Sequence, residues 1–261
     1  MKFWQRLEKL LLLIFLVLIP TQLGRHYWPD WSLVRGIRVD YLSPTLYVED
    51  LIIGGLIIIS FLRKRFLKYS LDFGDFLTVL MIVVNVVMAA NRMEAGYKWI
   101  RIGEWVWMLS YLRNEKNNVD KYLKYAITGW ILLESLLVLA QVIKGGSVEG
   151  LFWWLGERRF RFSSLGTAQI NIMGQGLVRG YGTFSHPNSL AGFLLVSIIL
   201  WMREKRKGLG NVWWWMVWWM AIGGIIMCGS RTVWVLTIGL IVWVLWQNKK
   251  IMLAGIMMTI G

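Results

Sequence analysis

The sequence predicts an all-α integral membrane protein, a polytopic bundle of about eight or nine transmembrane helices. Three observations point there. Of the 261 residues, 57% are hydrophobic and 17% charged, whereas a soluble domain carries about a quarter charged residues. The apolar residues fall in long blocks and do not alternate with polar ones. The 18 Trp gather near the ends of these blocks, as an interfacial aromatic belt requires. On this reading residues 1–261 form a single membrane domain.

Allowing about 17–25 residues per span, helices are expected near 5–22, 46–62, 73–90, 97–112, 123–143, 188–202, 211–228 and 232–247, with a ninth starting at Ile251. The first follows Lys2, Arg6 and Lys9, as the apolar part of a signal peptide would. No small-residue cleavage site comes after it, so it reads as a retained span. The stretch 97–112 carries Lys98, Arg101 and Glu104. Either these pair at i,i+3 spacing on one face, or the segment lies in the interface. The run after Ile251 is too short to cross a bilayer, so the sequence reads as the front part of a longer protein.

The net charge of +14 would suggest nucleic acid on a soluble chain. Here the basic residues sit in short links between apolar runs, so they read as a topology signal and no nucleic-acid partner is expected. Arg63, Lys64, Arg65 and Lys68 fall on the same side as Arg113, Lys116, Lys121 and Lys124. Arg203, Lys205, Arg206, Lys207, Lys249 and Lys250 fall there too. The positive-inside rule then makes the N-terminus cytoplasmic and the longer links 23–45 and 144–187 external, in a multi-pass protein of the cytoplasmic membrane. The 144–187 loop is rich in Gly and carries Phe152-Trp153-Trp154 ahead of Arg158, Arg159 and Arg161. It either meets anionic membrane lipids or is a solvated basic loop.

The polar run Arg179-Gly180-Tyr181-Gly182-Thr183-Phe184-Ser185-His186-Pro187-Asn188 directly precedes an apolar stretch. Pro187 suits the first turn of a helix, and Ser185, Asn188 or Ser189 can cap it. A helix N-terminus favours anions, and Arg179 is suited to bidentate phosphate contacts. Gly229-Ser230-Arg231-Thr232 repeats the pattern. Ser230 can cap the next helix, and Arg231 sits in its first turn, where an anion would relieve the like-sign contact with the helix dipole. Two Arg and two helix ends would then form an external pocket for phosphate or diphosphate. The competing readings are that Arg231 snorkels to the headgroups and that His186 is a turn residue bonded to backbone.

Other chemistries find little support. His26 and His186 are the only His, and neither has Cys or carboxylates at ligand spacing, so no metal is expected. No Ser-His-Asp order, HExxH or P-loop occurs, and Gly174-Gln175-Gly176 lacks a βαβ context. Cys228 reads as a small core residue. The block Trp213-Trp214-Trp215 with Trp218 and Trp219 reads as an interface anchor. Glu134, inside an apparent span, is either functional or a helix–helix hydrogen-bond partner.

The run Arg179 through Asn188, continued by Ser-Leu-Ala-Gly and succeeded one hairpin later by Gly229-Ser230-Arg231, resembles the O-antigen ligase and O-antigen polymerase family of bacterial envelope proteins. Gln22-Leu23-Gly24-Arg25 and Gly36 through Pro44 are similar to the first external loop of some members. The resemblance covers the whole chain, with 170–261 as the ligase-related region. It implies a glycosyltransferase that takes a glycan from a polyprenyl-diphosphate carrier at the external face of the bacterial inner membrane, without metal or other cofactor. Arg179 and Arg231 would hold the diphosphate, within a motif that includes Gly182, Phe184, His186, Pro187, Asn188 and Ser230. The acceptor, the choice between ligation and polymerisation, and the catalytic residue stay open. Family members carry their functionally essential His in a later periplasmic loop, beyond residue 261, so His186 does not take that role, and activity is expected of a full-length form. The alternative is a non-enzymatic membrane carrier, or an inactive fragment, binding an anionic lipid-linked substrate. Carriers often show internal repeats, and none is visible here.

Overall fold

The computed structural model describes residues 2–39, 42–63, 73–114, 116–164, 166–172, 174–203 and 212–247. Its helices are α1 (Lys2–Leu18), α2 (Val48–Leu62), α3 (Phe73–Met88), α4 (Arg92–Asn114), α5 (Lys116–Lys144), α6 (Leu151–Trp154), α7 (Pro187–Arg203), α8 (Val212–Cys228) and α9 (Arg231–Gln247).

The expected all-α bundle of eight or nine spans is not what forms. Among the described residues only Tyr122–Lys144, within α5, is long and apolar enough to cross a membrane. The apolar helices α3, α7, α8 and α9 have 16 or 17 residues, which at 1.5 Å per residue is about 25 Å, short of a hydrocarbon core of about 30 Å. α4 is longer, at 23 residues, but its charges disqualify it. The fold is not all-α either. The links expected as loops contain short antiparallel pairs: β1 (Gly24–His26) with β4 (Thr45–Tyr47), β2 (Leu33–Val34) with β3 (Ile37–Arg38), and β5 (Gln169–Ile172) with β6 (Gln175–Val178). Counting apolar residues in blocks finds the helices but does not measure their length against a bilayer, nor does it see that polar links must pair their own backbone groups. The ninth span at Ile251 and the basic links at 64–68, 205–207 and 249–250 lie outside the described residues.

The chain divides into two compact units, Met1–Ile19 with Leu23–Leu123, and Pro20–Gln22 with Lys124–Gly261. α5 begins in the first and continues into the second.

In the first unit α1 packs on α2. Glu8, buried in α1, pairs with Arg63 and accepts a 2.7 Å hydrogen bond from the Tyr111 hydroxyl of α4. The charges of α4 pair at helical spacing: Arg101 with Glu104 at 3.0 Å, and Lys98 with Glu94. Arg101 also pairs with Asp50 of α2 and lies over the Tyr47 ring, 4.8 Å from its centroid. Asp50 in turn accepts the Tyr47 N–H at 2.8 Å, satisfying a group at the start of α2. One acidic residue in the first turn of α2 thus ties strand β4 and helix α4 to that helix.

In the second unit α7, α8 and α9 pack together. Leu190, Leu194 and Ile198 of α7 and Ile225 of α8 are fully buried. α5 joins through Trp130, whose ring lies 5.6 Å from that of Phe193 in α7, and through Thr128, which accepts the Trp201 indole N–H at 3.1 Å. The tryptophan block of α8 is split by the helical period. Trp214 and Trp218 are buried and stack on each other at 5.5 Å, while Trp213 and Trp219 are exposed. Two of the five tryptophans of the expected interface anchor are therefore core, because positions four apart share one helix face.

Substituting Arg63→Ala strands the Glu8 carboxylate in a buried setting and should destabilise the first unit by about 3–5 kcal/mol. Thermal unfolding in detergent measures this, and an unshifted midpoint would show that the pair contributes nothing.

Candidate functional site

The β5–β6 hairpin leads directly into the polar run. Arg179 extends its pairing by donating its N–H to Ala168 O at 3.0 Å. Behind the hairpin Phe160, Val178 and Tyr181 form a small core, and the Phe160 and Tyr181 rings lie 4.5 Å apart. The Tyr181 hydroxyl accepts the Ala168 N–H at 2.7 Å. Local apolar contacts thus fix the strand that ends at Arg179.

The next residues, Gly180 to Thr183, lie against α5. Gln141 Oε1 accepts the N–H groups of Tyr181 and Gly182, at 2.9 and 2.8 Å. Its Nε2 donates to Gly182 O at 2.9 Å and to Glu157 Oε1 at 2.8 Å. Two turns back along α5, Glu134 Oε2 accepts the Thr183 N–H at 3.0 Å, and its Oε1 lies 2.7 Å from the Thr183 hydroxyl. All four polar side chains are buried. The Glu157 carboxylate also accepts the N–H groups of Val148 and Glu149 at 2.7 and 2.6 Å, closing the start of the loop.

This seating explains two glycines of the motif. A Cβ on Gly180 would stand 2.3 Å from Val138 Cγ1. A Cβ on Gly182 would stand 2.1 Å from Glu134 Oε2, and its φ of +57° lies in the left-handed region. Only bare backbone can lie this close to α5.

Arg179 is aimed by α7 and α8. Its Nε donates to Cys228 O at the end of α8, at 2.7 Å, and its Nη2 donates to Asn188 Oδ1 in the first turn of α7. Gly229 turns the chain at φ +64°, where a Cβ would stand 3.0 Å from Arg179 Nε, and α9 begins at Arg231. Arg179, Asn188, the turn Gly229–Thr232 and the strand Gln169–Asn171 together line a cleft of about 480 Å³.

The residues singled out from sequence fall into two groups. Arg179, Asn188, Ser230 and Arg231 line the cleft. Gly182, Phe184, His186 and Pro187 do not. Gly182 is the seat on α5, Phe184 packs on Phe193 with rings 5.1 Å apart, and Pro187 occupies the first position of α7. The cap of α7 is neither Ser185, Asn188 nor Ser189. It is His186, whose Nδ1 accepts the Asn188 N–H at 3.1 Å. His186 is thereby the backbone-bonded residue that the sequence allowed. Ser230 starts α9 through its backbone carbonyl, which accepts the Trp234 N–H at 2.9 Å. Sequence reasoning missed Gln141, Glu157, Gln169 and Asn171. The spacing of Glu134 and Gln141, seven apart on an apolar helix, was the available signal for a polar face on α5.

The electrostatics are one-sided. The cleft lining contains no carboxylate. Neither Arg179 nor Arg231 has an acidic partner among the described residues, and Arg231 is exposed. The N-terminal end of α9 adds a partial positive charge. The His186 imidazole is largely exposed, yet the desolvation it suffers, and next the Arg179 guanidinium, hold its pKa below the ordinary 6.5. It is therefore neutral at pH 7, as its acceptor role requires. Among the described residues no group of three or more His, Cys, Asp and Glu side chains could hold a metal ion.

No protein-family model matches the chain, and no curated protein or solved structure matches it significantly.

Gly182→Ala should destabilise the second unit by more than about 1 kcal/mol, from the strained φ and the collision with Glu134. Gly192→Ala is the control. That site, in α7, has open space around a Cβ, so the change should be neutral or stabilising by up to about 1 kcal/mol. Equal unfolding midpoints for the two variants would refute the close seating on α5.

Proposed function

We propose that the cleft binds the diphosphate of a membrane lipid-linked glycan, and that the chain takes part in transferring or polymerising that glycan at the external face of the bacterial cytoplasmic membrane. One observation carries the reading: two arginines without acidic partners among the described residues converge on one cleft whose lining holds no carboxylate. A dianionic phosphate group supplies the missing counter-charge in the geometry that Arg prefers. The apolar helix Tyr122–Lys144 and the exposed apolar side chains of α3 and α9 support a membrane setting.

In this reading Arg179 and Arg231 stabilise the diphosphate as its negative charge grows on leaving the sugar. Arg179 is pre-aimed by Asn188 and the Cys228 carbonyl, so little reorganisation is needed when the ligand arrives. Arg231 is exposed and can close on it. Gln169 and Asn171 also line the cleft, and amide side chains are suited to neutral hydroxyl-bearing groups. The resemblance at Arg179–Asn188 and Gly229–Arg231 points to the same substrate class.

Binding of polyprenyl diphosphate to the purified chain tests the anion half. Arg179→Ala and Arg231→Ala should each weaken it by about tenfold or more, as loss of a charge-assisted hydrogen bond does. The transfer half is read by incubating membranes with labelled lipid-linked glycan. Unchanged affinity in the double variant would reject the diphosphate site. Flux of the glycan across vesicles with no transfer product would favour a carrier.

A further inference from the structure

His186 holds the start of α7 in a way that depends on its charge. Its Nδ1 accepts the Asn188 N–H at 3.1 Å. A neutral imidazole can do this only with its proton on Nε2, and an imidazolium has no acceptor at all. Capping and protonation therefore exclude each other. Asn188 is also a wall of the cleft and the partner of Arg179. Protonating His186 has three consequences there. The Asn188 N–H loses its acceptor, a positive charge appears beside Arg179, and that charge sits at the positive end of a helix. With the cleft empty all three are unfavourable. With an anion in the cleft, the imidazolium gains an attraction to that charge, which offsets its repulsion from Arg179 and from the helix end.

We propose that anion binding in the cleft is coupled to uptake of one proton by His186, so that the site holds its anion more tightly as pH falls. The inference rests on the cleft being an anion site. Of the charged or titratable groups on the surrounding elements, Arg179 acts on His186 directly, Arg231 of α9 lines the same cleft, Glu134 of α5 holds Thr183, and Cys228 of α8 holds Arg179 through its carbonyl. The two Arg stay charged throughout the relevant range. Glu134 and Cys228 are both fully buried, and neither lines the cleft. His186 is thus the group placed to titrate against the cleft.

Linkage sets the sign. Desolvation, and next the Arg179 guanidinium, hold the His186 pKa below 6.5, and a bound anion, by opposing the Arg179 charge, raises it. Between the two values affinity increases by up to about tenfold for each unit fall in pH, and outside them it is flat. The cap itself is intact above the ordinary value and is lost as pH falls through the lowered one.

The test uses the purified 261-residue chain in detergent, with sulfate as probe because it stays a dianion across roughly pH 5 to 8, the range in which His titrates. Calorimetric titration in two buffers of different ionisation enthalpy gives both affinity and proton uptake. Wild type should show affinity rising as pH falls, with uptake approaching one proton per sulfate. His186→Asn keeps a good neutral cap and should bind sulfate with a flat pH profile and no uptake. A flat profile in wild type, or a slope retained in His186→Asn, overturns the coupling while leaving the anion site standing. Absence of sulfate binding by wild type at every pH overturns the anion site itself, and the coupling with it.

Discussion

The seating of Gly180–Thr183 on α5 is the constraint on which the rest of the second unit depends. Gln141 and Glu134 accept three consecutive backbone N–H groups from a segment that is neither helix nor strand. Buried backbone groups without partners cost about 1–3 kcal/mol each, so without these side chains the segment could not run through the interior. Its position sets where Arg179 leaves the hairpin, and hence where the guanidinium points. Met227 and Cys228, at the end of α8, then bind the same stretch from the other side through Gly180 N–H and Arg179 Nε.

This arrangement divides labour within the motif. Its glycines and threonine serve the buried seat. Its arginine and asparagine serve the cleft. The histidine between them caps a helix and connects the two, since the N–H it accepts belongs to the asparagine that restrains the arginine. Sequence proximity concealed this, because ten successive residues read as a single polar patch. The fold sends some of them inward and others to the cleft, and the alternation follows from which backbone groups α5 can satisfy.

The first unit shows the same economy with charge. Arg101, which looked like an obstacle to placing α4 near apolar surroundings, meets Asp50, Glu104 and the Tyr47 ring. Glu8, in the charged first half of α1, meets Arg63 and Tyr111. Charged residues of these helices bind elements to one another, which is why charge counts along single segments did not describe their role.

The sequence by itself determined where helices form, because a 3.6-residue period and long apolar runs are local properties. It also determined that Arg179 and Arg231 share a pattern of a polar turn opening a helix. It could not determine helix length against a bilayer, the strands in the two long links, or the partners of Glu134 and Gln141. Those depend on contacts between residues tens of positions apart. The expectation of eight or nine spans failed for this reason: apolar composition is local, but whether an apolar face meets lipid or another helix is decided by packing. The cleft, too, is a product of tertiary structure. Only the turn after α8, passing close to the Arg179 side chain at Gly229, brings the second arginine to the first, and no spacing in the sequence encodes that approach.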